Sequence, residues 1–139
     1  MSSSITSRAY GRMPDGRAVT EYTLDNGRGL SLSAINLGGI VTALRVPDRR
    51  GQAENIVLGL PSLEAYLKPH PHFGTIVGRF ANRIAAGRFL LDGPAPQLVL
   101  NDGPNSLHCG AKGFGTRFWD IVPLTAQEAP EDAVAALQA

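Results

Sequence analysis

Glu21-Tyr22-Thr23-Leu24-Asp25-Asn26-Gly27-Arg28-Gly29-Leu30-Ser31-Leu32-Ser33-Ala34-Ile35-Asn36 is the stretch that decides the fold class. Leu30, Leu32 and Ala34 alternate with Ser31 and Ser33, and a period of two gives a strand one apolar and one wet face. The Asn26-Gly27 step supplies the residues that tolerate the positive φ of a tight hairpin turn. Together they predict an antiparallel hairpin. Leu37-Gly38-Gly39 interrupts the alternation, and Ile40-Val41-Thr42-Ala43-Leu44-Arg45-Val46 resumes it until Pro47-Asp48, which adds a third strand as a meander.

Upstream, residues 1–18 are polar and carry the turn signal Pro14-Asp15-Gly16, so they predict a lead-in with at most one short strand. Downstream, Asn55-Ile56-Val57-Leu58-Gly59 is a short apolar run. Ser62-Leu63-Glu64-Ala65-Tyr66-Leu67-Lys68 is the one convincing helical turn, capped by Ser62 and stopped by Pro69. Thr75–Val77, Arg88–Leu91, Gln97–Leu100 and Phe118–Val122 follow as strand-like pieces, punctuated by Gly, Pro or Asn-Asp. Short strands at such spacing predict an all-β antiparallel sandwich or barrel occupying residues 19–124. Residues 125–139 form an Ala-rich tail in which Pro130-Glu131-Asp132 marks a helix start, although so short a helix does not stand alone in water.

Composition agrees. The 16 Gly and 10 Pro are about a fifth of the 139 residues, against an average nearer 12%, which argues against a helical bundle. With 43% hydrophobic and 18% charged residues, one compact domain is the default. Thirteen basic and 12 acidic residues leave a net charge of +1, so no global field gathers nucleic acid or anionic lipid. Cys109 is the one cysteine, which excludes an internal disulfide and a Cys-based zinc cluster and suits a reducing compartment. Met1–Arg8 lacks the apolar run of a signal peptide, and no span reaches the ~18 apolar residues of a membrane helix. A soluble cytoplasmic protein is expected, with neither nucleic acid nor membrane as partner.

There is no phosphate-binding loop, nucleophile elbow or dinucleotide fingerprint. His70 and His72 form an HxH, but the next glutamate is Glu128, so a metal site is poorly supported and the pair reads as two surface-loop histidines. His108 and Cys109 are adjacent, and in an extended segment neighbours point to opposite sides, which works against a nucleophilic pair. Cys109 is read as a half-buried free thiol. Asp92, Asp102 and Asp120 read as turn or rim carboxylates. Two segments carry more: Gly78-Arg79-Phe80-Ala81-Asn82-Arg83-Ile84, with two arginines and an asparagine in five residues, and Asn101-Asp102-Gly103-Pro104-Asn105-Ser106-Leu107-His108, a turn-rich approach to one histidine.

Extended to Gly74–Ile84 and Asn101–Gly110, with Gly113-Phe114 and Trp119 beyond, these segments resemble the aldose 1-epimerase (galactose mutarotase) family in order and spacing. Leu37–Val41 and Asn55–Gly59 are similar to its opening strands, and the resemblance runs from about Tyr22 to about Val122. It implies the N-terminal part of a large antiparallel β-sandwich that interconverts the α and β anomers of hexoses such as galactose and glucose, without a cofactor or metal. In that family a base removes the anomeric hydroxyl proton while an acid protonates the ring oxygen. The resemblance implies that His108 is the first histidine, which assists at the sugar, and that Asn82 and Arg83 hold sugar hydroxyls. Arg79 is read as structural. The family's catalytic glutamate and second histidine have no counterpart here, which implies a truncated chain inactive alone; a non-catalytic sugar-binding β-domain is the alternative. Cys109 stands where the family usually has Gly, adding bulk beside the site, and Gly115 where it usually has Asp, removing a carboxylate that orders the loop. Uncovered strand edges predict self-association.

Overall fold

The computed structural model describes residues 3–124, Glu128 and the backbone of residues 137–138. Its frame is a five-stranded antiparallel meander: β1 Ser4–Arg12, β2 Ala18–Asp25, β3 Ser31–Ile35, β4 Val41–Pro47 and β5 Ala53–Asn55, in that spatial order. The hairpin falls where the alternation and Asn-Gly step place it. Leu24 faces Leu32 and Asp25 faces Ser31, and the Asn26 side chain caps the turn by accepting from the Arg28 and Leu30 amides.

The polar lead-in is a correction. Residues 4–12 form a nine-residue strand paired along β2, not a short one. An edge strand with one face in water needs few apolar residues, so Ser, Thr and Arg hid it. Its inner partner is Glu21, a buried carboxylate that accepts from Arg8 Nε at 2.5 Å and from the Thr42 hydroxyl at 2.7 Å. Burial of a charge is tolerable only with such partners.

Beneath the sheet, Val19, Ile35, Leu37, Ile40, Leu63 and Tyr66 form the core, with Tyr10, Met13, Leu60 and Phe118 against it. The helical turn α1, Leu63–Tyr66, contributes two of these, and Ser62 caps it by accepting from the Ala65 amide. Past α1 the chain has little regular structure. Two short pairs remain, β6 Arg83–Ile84 with β7 Ser106–Leu107, and β8 Val122–Pro123 with β9 Leu137–Gln138. Thr75–Val77, expected as a strand, is irregular, and Arg88–Leu91 and Gln97–Leu100 meet at a single bridge, Arg88 with Gln97. Leu90 is 85% exposed, and Leu91, Val99 and Leu100 are also open to solvent. Apolar alternation makes a strand only where a neighbouring strand and a covering face exist. The helix start expected at Pro130-Glu131-Asp132 lies outside the described residues.

The architecture is thus an incomplete antiparallel β-fold. Accessible surface amounts to 9503 Å², whereas a compact monomer of this mass exposes about 6,900 Å². Stability therefore concentrates under the meander. Ile35→Ala is expected to cost about 2–5 kcal/mol, against less than about 0.5 kcal/mol for Leu90→Ala. Denaturant midpoints check this, and equal losses at the two positions would contradict it.

Candidate functional site

The β6–β7 pair is what builds the site. Arg83 opposite Leu107 and Ile84 opposite Ser106 carry Asn82 and His108 to the same end of the ribbon. There the Asn82 amide donates to His108 Nδ1 at 3.1 Å, and the His108 amide donates to the Asn82 carbonyl at 3.3 Å. With Nδ1 accepting, the proton of a neutral imidazole sits on Nε2, so His108 has one N–H left to donate. The approach loop is clamped by Asn101, whose side-chain amide donates to the Leu107 carbonyl at 2.9 Å while its oxygen accepts from the Leu107 amide at 2.8 Å.

His108 lines a cavity of about 740 Å³ between this ribbon, the loop after α1 and the 110–116 loop. Asn82 and Arg83 do not line it. Arg83 instead pairs with Asp102, Nε to Oδ2 at 2.6 Å, with its own side chain 61% exposed. An exposed pair of that kind is worth only about 0.2–1 kcal/mol, so a ligand can recruit Arg83 at small cost. Asp102 is therefore a rim carboxylate, as its turn context suggests, but with a partner the sequence did not reveal.

The histidines of the HxH are where the sequence reading falls short. Both line the cavity, and the rings run in a row: Tyr66 to His70 at 5.5 Å, His70 to His72 at 6.0 Å, His72 to His108 at 5.1 Å between centroids. The row is held by ring packing, and among the described residues no group of three His, Cys, Asp or Glu is placed to hold a metal. His70 Nδ1 is buried without a hydrogen-bond partner. No signal in the sequence separated these histidines from an ordinary loop pair, because the fold, not the spacing, sets His72 beside His108 and His70 behind it.

Backbone strain collects at the same place. Of six non-glycine residues with positive φ among those described, four are His72 (58°), Asn82 (64°), His108 (50°) and Cys109 (65°). Such conformations cost of order 1–3 kcal/mol each and persist where surrounding contacts over-determine them. Segment 108–109 is thus not extended, which corrects the reason for setting aside a Cys–His pair. What separates the two side chains is their bonding. His108 bonds to Asn82, while Cys109 Sγ donates to the Phe80 carbonyl at 3.1 Å and accepts its amide at 3.0 Å. The thiol is half-buried, as expected. Its bulk turns to the Phe80 main chain rather than into the cavity wall. The positive φ at Cys109 also shows why glycine suits this position. Nor does the 110–116 loop depend on a carboxylate at Gly115. Thr116 Oγ1 donates to the Gly113 carbonyl at 3.0 Å, and Trp119 Nε1 donates to that of Phe114 at 3.4 Å. Arg79 lies over the Phe114 ring at 5.6 Å.

Burial first, and His72 second, push the His70 pKa below its ordinary 6.5. Between the lowered value and 6.5 the unfolded chain binds a proton that the folded one resists, so this contribution to stability is present above 6.5 and lost as pH falls. The thermal midpoint of His70→Gln is expected to drop less than that of the parent between about pH 7.5 and pH 5.5. Parallel profiles would contradict it.

A family profile described as Aldose 1-epimerase matches residues 20–137. The galactose mutarotase of Sus scrofa is 45% identical over 116 residues, covering 84% of this chain and 34% of that protein. The aldose 1-epimerase of Escherichia coli is 36% identical over 109 residues, covering 78% and 32%. The crystal structure of galactose 1-epimerase from Lactobacillus acidophilus superimposes with a TM-score of 0.73 at 32% identity, over 89% of this chain and 35% of that one. The chain spans about a third of the length of these relatives. With the profile match covering most of its residues, the chain belongs to the aldose 1-epimerase family.

Proposed function

We propose that this chain supplies one wall of a hexose site at which α and β anomers of sugars such as galactose and glucose interconvert by acid–base ring opening. The carrying observation is the Asn82–His108 bond, which leaves His108 with an Nε2–H donor beside a cavity. In ring opening, a base takes the proton of the anomeric hydroxyl, the C1–O5 bond breaks and an acid protonates O5. Rotation about C1–C2 then presents the other face of the aldehyde, and the reverse transfers close the ring. A donor at a sugar oxygen helps hold the substrate through both steps. Arg83, released from Asp102, supplies a fork of donors for vicinal hydroxyls, and the Asn82 side chain offers both a donor and an acceptor.

Among the described residues, those lining the cavity include no carboxylate. That supports a chain which binds hexose without turning it over by itself, and the sugar-binding alternative shares this behaviour. Fresh α-D-galactose followed by polarimetry is expected to mutarotate at the buffer rate in its presence. Calorimetric titration with galactose is expected to show binding that weakens about tenfold or more in Arg83→Ala, the scale of a lost charged hydrogen bond. A rate above buffer overturns the first statement, and no binding by a folded chain overturns the second.

The exposed Ile56, Leu58, Leu90, Leu91 and Val99, with the open edges of β1 and β5, support self-association. Sedimentation velocity is expected to show dimers or larger species, and a monodisperse monomer would contradict this. The free thiol of Cys109 fits a reducing cytoplasm. Among the described residues no helix is long and apolar enough to cross a membrane.

A further inference from the structure

We propose that His72 is a positioning residue for His108, and this rests on reading the cavity as a hexose site. The two rings meet edge to face at 5.1 Å with an interplanar angle of 71°. Both line the cavity, and both are held at positive φ. A histidine bonded through Nδ1 alone keeps freedom to swing about that bond. A second ring in edge-to-face contact with it removes this freedom and fixes the direction of Nε2–H. His72 is in turn backed by His70, whose ring lies 6.0 Å away and meets the ring of Tyr66 in the core at a near-perpendicular angle. The orientation of His108 is thereby tied to the meander through a row of rings rather than through a hydrogen-bond chain. Such a row leaves His108 Nε2 available to a hydroxyl of a ligand in the cavity.

Position 72 is exposed, so its substitution spares the core, and two variants separate ring packing from hydrogen bonding. His72→Asn removes the ring with a residue that accepts positive φ. His72→Phe keeps a ring without nitrogens. Long-range imidazole proton–nitrogen NMR spectra of the whole chain report the His108 tautomer, and calorimetry with D-galactose reports affinity. In the parent, the His108 signals are expected to be those of a single Nε2–H tautomer. In His72→Asn they are expected to move toward the averaged values of a free imidazole, with galactose affinity falling about five- to tenfold. In His72→Phe both are expected to recover most of the way. If His72→Asn leaves the His108 signals unchanged, or His72→Phe fails to restore them while the β2–β3 amides stay native, the proposal is overturned. If the parent binds no galactose yet the His108 signals respond as described, positioning stands and the hexose reading fails.

Discussion

The site depends on how closely the second half of the chain can approach the Leu37–Ile40 turn. Gly38 donates its amide to the Arg117 carbonyl at 2.7 Å, and a Cβ at Gly38 would overlap the carbonyl of Gly115. Its φ of 69° independently favours glycine. On the other side of the same turn the Ile76 amide donates to the Gly38 carbonyl, and the Val41 amide to that of Gly74. Gly74, also at positive φ, lies where a side chain would run into the Val41 backbone. Leu37 bridges Phe118, and the Trp119 amide reaches the Asn36 carbonyl at 2.8 Å. Segments 74–78 and 113–119 are thus laid against one turn of the meander, and the cavity is the space they leave.

From that docking the chemistry follows. Gly78 accepts the Phe114 amide, which joins the two docked segments to each other. The chain leaving Gly78 reaches Asn82 and Arg83, and the β6–β7 pair brings His108 back to them. Polar side chains on irregular backbone are normally mobile. Here the strain at His72, Asn82, His108 and Cys109 is balanced by the Asn101 clamp, the Phe80–Cys109 exchange and the ring row. The arrangement borders a cavity without a carboxylate among its described lining residues.

Local physics made part of this legible in advance. Serines alternating with Leu32 and Ala34, the Asn-Gly step and the Ser62 cap each act within a few residues, and each feature appears where expected. The family motifs led to Asn82, Arg83 and His108, and the ribbon gathers all three. Three things were not legible. The β1 strand owes its existence to β2 rather than to its own composition. Arg88–Leu91 and Gln97–Leu100 read as strands because of their apolar content, but a strand without neighbours leaves backbone groups to water and gains nothing from its side chains. His70 and His72 carried no local signature, since the ring contact that brings His72 against His108 spans 36 residues of chain. Long-range contacts of this kind are invisible to spacing arguments.

Hexose is proposed to bind in the cavity that His108 lines, with Asn82 and Arg83 recruited from the adjoining end of the β6–β7 ribbon. Amide chemical-shift mapping of the uniformly nitrogen-15-labelled chain titrated with D-galactose locates the contact surface residue by residue. Saturable shifts are expected, confined to residues about 70–84 and 101–116 and largest at Asn82, Arg83 and His108, with the β1–β3 amides unmoved. Shifts centred on the meander, or none in a chain whose β2–β3 amides are dispersed, would contradict it.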